Sequence, residues 1–151
     1  MVTHTMQRDD RGFTLVELLV VVLMLGVLSS MAMLGVQGAQ RSSTIQACVT
    51  DWQSINSAMQ AYGLDHRSPT TGTPDYAALI ADPLTVLADS EYLATATVSN
   101  PAKYRATIEV VPGGATFTTW ITNPSGANGT SLQPNATPEA VSTACSAAVG
   151  Q

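Results

Sequence analysis

Basic residues are scarce in this chain, with six Lys and Arg against eleven Asp and Glu in 151 residues. A general nucleic-acid surface needs clustered cations to displace counterions, so that class is disfavoured. Aromatics make up only 5%, which implies a thin core that a lattice or a covalent staple would help. Histidine occurs only as His4 and His66, which are not at metal-ligand spacing. The two cysteines, Cys48 and Cys145, form no C-x-x-C. There is no nucleophile elbow, Walker loop or H-E-x-x-H either. Asp65 beside His66 reads as a solvated pair in a polar loop. The sequence therefore offers no catalytic group, no metal site and no cofactor. It does not read as an enzyme.

Charge is also missing from one long stretch. Residues 13–36, FTLVELLVVVLMLGVLSSMAMLGV, contain no Lys, Arg, Asp or Pro, and Glu17 is their only charge. As a helix this run measures roughly 36 Å, enough to cross a hydrocarbon core of about 30 Å. A charged side chain inside such a span costs at least ~2.5 kcal/mol on insertion scales, so Glu17 calls for a partner.

Gly12, Phe13 and Glu17 ahead of that run resemble the processing site of the type IV pilin family, which includes the pseudopilins of type II secretion. The resemblance covers residues 11–36. It implies that a prepilin peptidase cuts after Gly12, and that Phe13 becomes an N-methylated N-terminus. It further implies a single-pass membrane precursor whose helices stack into a filament core, with an assembly ATPase and a platform membrane protein as partners. Glu17 of one subunit would then face the Phe13 amine of its neighbour. The physics agrees, because cleavage creates a cation that a carboxylate in an apolar bundle requires. Such pairing sets register more than it adds stability. In one respect the chain departs from many family members, which carry a helix-kinking proline where Leu34 stands. Gly26, Gly35 and Gly38 are weak helix formers and offer a local soft segment in its place.

Two other readings of the N-terminus remain open. Residues 18–28 are an acceptable signal-peptide core, and Ser30-Met31-Ala32 is a small-x-small site. Against this, Arg8 and Arg11 are outnumbered by Asp9, Asp10 and Glu17 where a positive flank is expected. An uncleaved anchor for an unrelated extracellular binding domain is the other. N-terminal sequencing separates them: Phe13 marks a pilin, Met33 a signal peptide, and Met1 or Met6 an anchor.

The exported topology that the resemblance implies also bears on the cysteines, since two thiols outside the cytoplasm are usually paired. A Cys48–Cys145 bridge would close a loop worth up to ~4.7 kcal/mol. Past residue 36 four basic residues face eight acidic ones, so the exported part is acidic.

Ile45, Cys48, Trp52, Ile55, Met59 and Tyr62 recur at alternating spacings of three and four and draw one apolar stripe along a helix. A single helix from about Thr14 to Tyr62 is expected, capped by Gly63 with Leu64. A loop follows. Thr73-Pro74-Asp75 and Asp82-Pro83 each look like a cap with proline at the first helical position, with Leu79, Ile80, Leu84, Leu87 and Leu93 forming a small apolar face. Tyr104, Ala106, Ile108 and Val110 alternate with polar residues, as do Phe117, Thr119 and Ile121 beyond Pro112-Gly113-Gly114, which predicts a hairpin. A third strand is expected near residues 94–99, and Trp52 and Trp120 as core anchors. Residues 123–151, rich in Asn, Gly, Ser, Pro and Ala, read as a disordered tail held at Cys145. Asn128-Gly129-Thr130 and Asn135-Ala136-Thr137 match the glycosylation pattern only.

The expected fold is α+β, a long N-terminal helix against a small antiparallel sheet. Its parts are a leader (1–12), a transmembrane and filament-core helix (13–36), an amphipathic continuation (37–63) and an extracytoplasmic domain (64–151). The expected work is that of a structural subunit polymerised with copies of itself, either in a type IV pilus displayed at the cell surface or in a type II secretion pseudopilus.

Overall fold

The computed structural model describes residues 13–111, 113–127 and 129–150, with the side chains of 31–35 and 37 outside the description. The leader 1–12, including Gly12, the turn residue Pro112 and the sequon residue Asn128 therefore lie outside the described residues. The chain divides into two units, the first ending at Ala39 and the second starting at Gln40.

Helix α1 spans Leu15–Asp65 and runs through both units. No proline interrupts it, and four of its hydroxyls bond back to the helix itself. Ser30 donates to the Val27 carbonyl at 2.7 Å, and Thr44, Thr50 and Ser54 donate to carbonyls four residues back. Such back-bonding lets Ser and Thr sit inside a helix without leaving orphaned donors. The helix is continuous through Gly26 and Gly38.

In the second unit a short 3-10 turn (Ala77–Leu79) and helix α2 (Pro83–Asp89) precede strands β1 (Arg105–Val110), β2 (Phe117–Thr122) and β3 (Thr130–Leu132), and helix α3 (Pro138–Val149) follows. The sheet order is β1-β2-β3, antiparallel throughout. Register runs from Arg105 opposite Thr122 to Val110 opposite Phe117, which places Ala106, Ile108, Phe117, Thr119 and Ile121 on the buried face. That face shares one core with Cys48, Trp52, Ile55, Met59 and Tyr62 of α1. The α+β architecture follows directly from these two periodicities, one of 3.6 and one of 2.

Several elements differ from the sequence expectation. The helix does not stop at Gly63. A Cβ there would lie 2.3 Å from the Tyr76 hydroxyl oxygen, so this glycine admits a tyrosine rather than ending a helix, and Leu64 is exposed. Pro74 does not open a helix: it pairs as an isolated bridge with Arg67, and the turn begins at Ala77, whose N–H is taken by Asp75 Oδ1 at 2.9 Å. Asp82 does cap α2, accepting from the Thr85 N–H with Pro83 at the first position. Leu79 and Leu87 are buried, whereas Ile80 is exposed.

The third strand is Thr130–Leu132, not residues 94–99, which form irregular backbone with Val98 turned inward. The tail is ordered in its larger part. Thr137 accepts from the Ala140 N–H, Pro138 takes the first helical position, and α3 buries Val141, Ala144, Cys145 and Ala148. Small side chains at helical spacing build this face, which is why composition alone suggests disorder. Trp52 is buried, but Trp120 is 36% exposed and faces outward, its indole N–H donating to Glu109 at 2.9 Å.

Candidate processing and assembly segment

The segment around Phe13 is defined by one residue that stops a helix. Phe13 and Thr14 are non-helical. The Thr14 carbonyl accepts from the N–H groups of Glu17 at 3.0 Å and Leu18 at 3.3 Å, and its hydroxyl accepts from the Glu17 N–H at 3.3 Å. This is N-cap geometry, and Thr14 with Glu17 three residues later has the spacing of a capping box. As the lone charge of the apolar run, Glu17 is a group to be paired. The Thr-x-x-Glu signature, readable in the same four residues, shows that it also sits where a carboxylate favours a helix N-terminus.

Phe13 is 77% and Leu15 81% exposed, and the large apolar side chains between Val16 and Leu28 are all exposed. They surround the helix instead of lining one stripe. A helix that is apolar on every side is at home only among lipids or other helices, and this much bare hydrocarbon marks an interaction surface. Among the described residues no helix is long and apolar enough to cross a membrane.

The second unit is braced by three devices. Cys48 and Cys145 form a disulfide, Cα–Cα 5.9 Å, joining α1 to α3 across a sequence separation of 97. The Arg41 guanidinium lies at the C-terminal end of α3, so close to Gly150 that a Cβ there would be 2.7 Å from an Nη atom. Asp51 holds residues 99–104 against α1. Its carboxylate accepts the Ser99 N–H at 2.6 Å, the Ser99 hydroxyl at 2.5 Å and the Tyr104 hydroxyl at 2.5 Å. Burial first, then the Asp51 bond and charge, push the Tyr104 phenol well above its usual range.

Asp65 is not merely solvated. It accepts the Tyr92 hydroxyl at 2.6 Å, a bond that raises the Tyr92 pKa, while His66 stacks on Tyr62 with ring centroids 3.9 Å apart. An open groove of about 810 Å³ lies between Asp51, Ile55 and Ala58 of α1 and the segment bearing Tyr92, Leu93 and Val98. Among the described residues, no group of three or more His, Cys, Asp and Glu side chains gathers to hold a metal ion.

A family profile described as the prokaryotic N-terminal methylation motif matches residues 7–33. The matched segment is similar to a prepilin-type methylation motif. It takes in Gly12, Phe13, Thr14 and Glu17 together with most of the exposed apolar helix. Among curated proteins the chain is similar to core protein G of type II secretion systems. It is 35% identical over 80 residues to the type II secretion system core protein G of Dickeya chrysanthemi, covering 53% of this chain and 52% of the relative. Against the core protein G of Klebsiella pneumoniae it is 42% identical over 67 residues, 44% of this chain and 47% of the relative. With that of Escherichia coli it shares 39% over 63 residues, 41% and 43% of the two chains. The chain thus spans about half the length of the curated relatives it matches. No solved structure matches it at comparable significance.

Proposed function

We propose that this protein is a pseudopilin of a type II secretion-like system, a structural subunit that polymerises rather than a catalyst. The observation that carries the proposal is the methylation motif at residues 7–33 in a chain whose curated relatives are core protein G. Those relatives favour the secretion pseudopilus over the cell-surface type IV pilus as the destination. The filament then stands on the periplasmic side of the inner membrane.

In this reading a prepilin peptidase cuts between Gly12 and Phe13, and Phe13 is N-methylated. Residues 13–36 hold the precursor in the membrane and become filament core on assembly. Exposed apolar side chains on every face of the described part of that helix support such a role. Glu17 supplies the one charge in the run, and the amine freed on a neighbouring subunit's Phe13 is its partner. An assembly ATPase and a platform membrane protein complete the machine. The second unit, acidic and stapled by Cys48–Cys145, forms the outer surface.

Substitution Glu17→Ala tests the assignment. The variant is expected to insert in the membrane and to keep its folded domain, while failing to cross-link into multimers beside the wild type. Insertion with normal multimers contradicts the assembly role. A wild type that is never cut and never multimerises favours a simple anchor.

A further inference from the structure

We propose that the open edge of β3, with the flank of α3 beside it, is a docking groove for a partner protein's extended segment bearing a basic side chain. The sheet order is β1-β2-β3, and β3 pairs only with β2 among the described residues. Successive residues of an antiparallel strand direct their backbone groups to opposite edges. Part of the N–H and C=O complement of Thr130–Leu132 therefore faces away from β2, with no ladder to receive it. Such an edge is a template for another strand.

A groove of about 480 Å³ lies at this edge, between Thr130–Leu132 on one side and Glu139, Ala140, Thr143 and Ala147 of α3 on the other. Leu132 is buried in the core, so the strand that walls the groove is held from beneath. Ala140, Thr143 and Ala147 are small and exposed, which leaves room for a backbone between helix and edge. A strand that adds here gains affinity from main-chain bonds and selectivity from the side chains around it. β3 spans about 10 Å at ~3.3 Å per residue, so pairing extends over roughly three residues.

The charge of the occupant follows from Glu139, the one charged side chain that lines the groove. A basic side chain complements it, and an acidic one is repelled. Past residue 36 the chain carries four basic residues against eight acidic ones, so a second copy brings like net charge and is the poorer fit. The proposal stands on the second unit alone and does not depend on where the chain is cut.

The test uses the full-length chain in detergent and dye-labelled pentapeptides Thr-Val-X-Val-Thr, where X is Lys, Ala or Glu. Fluorescence anisotropy is read against empty micelles. The Lys peptide is expected to bind, the Ala peptide a few-fold more weakly and the Glu peptide more weakly still, and Glu139→Gln is expected to level the three. N-methylation of alternate peptide nitrogens should weaken binding roughly tenfold or more in one register and little in the other, the mark of pairing along a single strand edge. Thr143→Trp fills the groove from an exposed position and should abolish binding without changing the circular dichroism spectrum. No binding of the Lys peptide at millimolar concentration overturns the proposal. So does an equal effect of the two methylation registers, or undiminished binding to Thr143→Trp. Wild-type chains that associate with one another and are separated by Thr143→Trp would assign the groove to a second copy, which overturns it too.

Discussion

Tyr104 donates its phenol hydroxyl to Asp51 at 2.5 Å, joining the residue ahead of β1 to the C-terminal third of α1 across a sequence separation of 53. Tyr104 is fully buried, so the bond satisfies a group that has no access to water. The same carboxylate holds Ser99 by two further bonds. One side chain therefore fixes the irregular segment that walls the groove on α1. Asp51→Ala leaves the Tyr104 hydroxyl unpaired and is expected to destabilise the domain by about 1–3 kcal/mol. Tyr104→Phe removes donor and demand together and is expected to cost less, about 1 kcal/mol. Urea titrations of the two variants and the double variant measure both. Equal losses for Asp51→Ala and Tyr104→Phe would show that the unpaired hydroxyl costs nothing.

The Tyr104 phenol also sets a pH dependence. Its folded pKa is raised by burial, then by Asp51, above the usual value of about 10. Above pH 10 the unfolded chain releases this proton while the folded chain retains it, so the unfolded state binds fewer protons and stability falls as pH rises. Below pH 10 the contribution is complete. Denaturant midpoints measured from pH 8 to 11 are expected to decline past pH 10, with a shallower decline in Tyr104→Phe. Tyr76, raised by burial, keeps part of the slope in that variant. Identical slopes in the two proteins would remove Tyr104 as a cause.

The disulfide ties α3, which buries only Val141, two alanines and Cys145 itself, to the much larger helix. Replacing both cysteines by serine is expected to cost about 2–5 kcal/mol. Hydrogen exchange should then rise first in Pro138–Val149 and β3, with the α1 stripe protected longest. Uniform loosening of α1 and α3 would contradict the view of α3 as a stapled strap.

Gly63 is held to its identity by Tyr76. Gly63→Ala places a methyl group 2.3 Å from the tyrosine hydroxyl oxygen, and the shift it forces is expected to cost about 1–3 kcal/mol. That outweighs the roughly 1 kcal/mol alanine gains in a helix. Pairing it with Tyr76→Ala should restore that helix gain, so the double variant is expected to lose less than the sum of the two singles in thermal melts. Strict additivity would dismiss the clash.

Much of this fold was legible because its periods are long. The stripe from Cys48 to Tyr62 and the alternation through β1 and β2 each repeat often enough to announce their faces. β3 was not legible, since three residues of Thr, Ser and Leu hold too little alternation to distinguish a strand from a loop. α3 did leave a trace, for Thr137-Pro138 repeats the device that starts α2 at Asp82-Pro83. Its alanine face concealed it. Asp51 and Ser99, 48 residues apart, meet only through tertiary packing, and no local pattern foretells such a bond. At the candidate processing segment motif and charge single out Gly12, Phe13 and Glu17 as expectations, while the cap that Thr14 forms carries a Thr-x-x-Glu signature that the sequence reading passed over.

The central claim is that this chain is a prepilin cut before Phe13, and mass spectrometry of the protein extracted from membranes that contain a prepilin peptidase tests it most directly. The account predicts a mature chain beginning at Phe13 and carrying one added methyl group. A chain that still begins at Met1 or Met6, or one that begins at Met33, contradicts it.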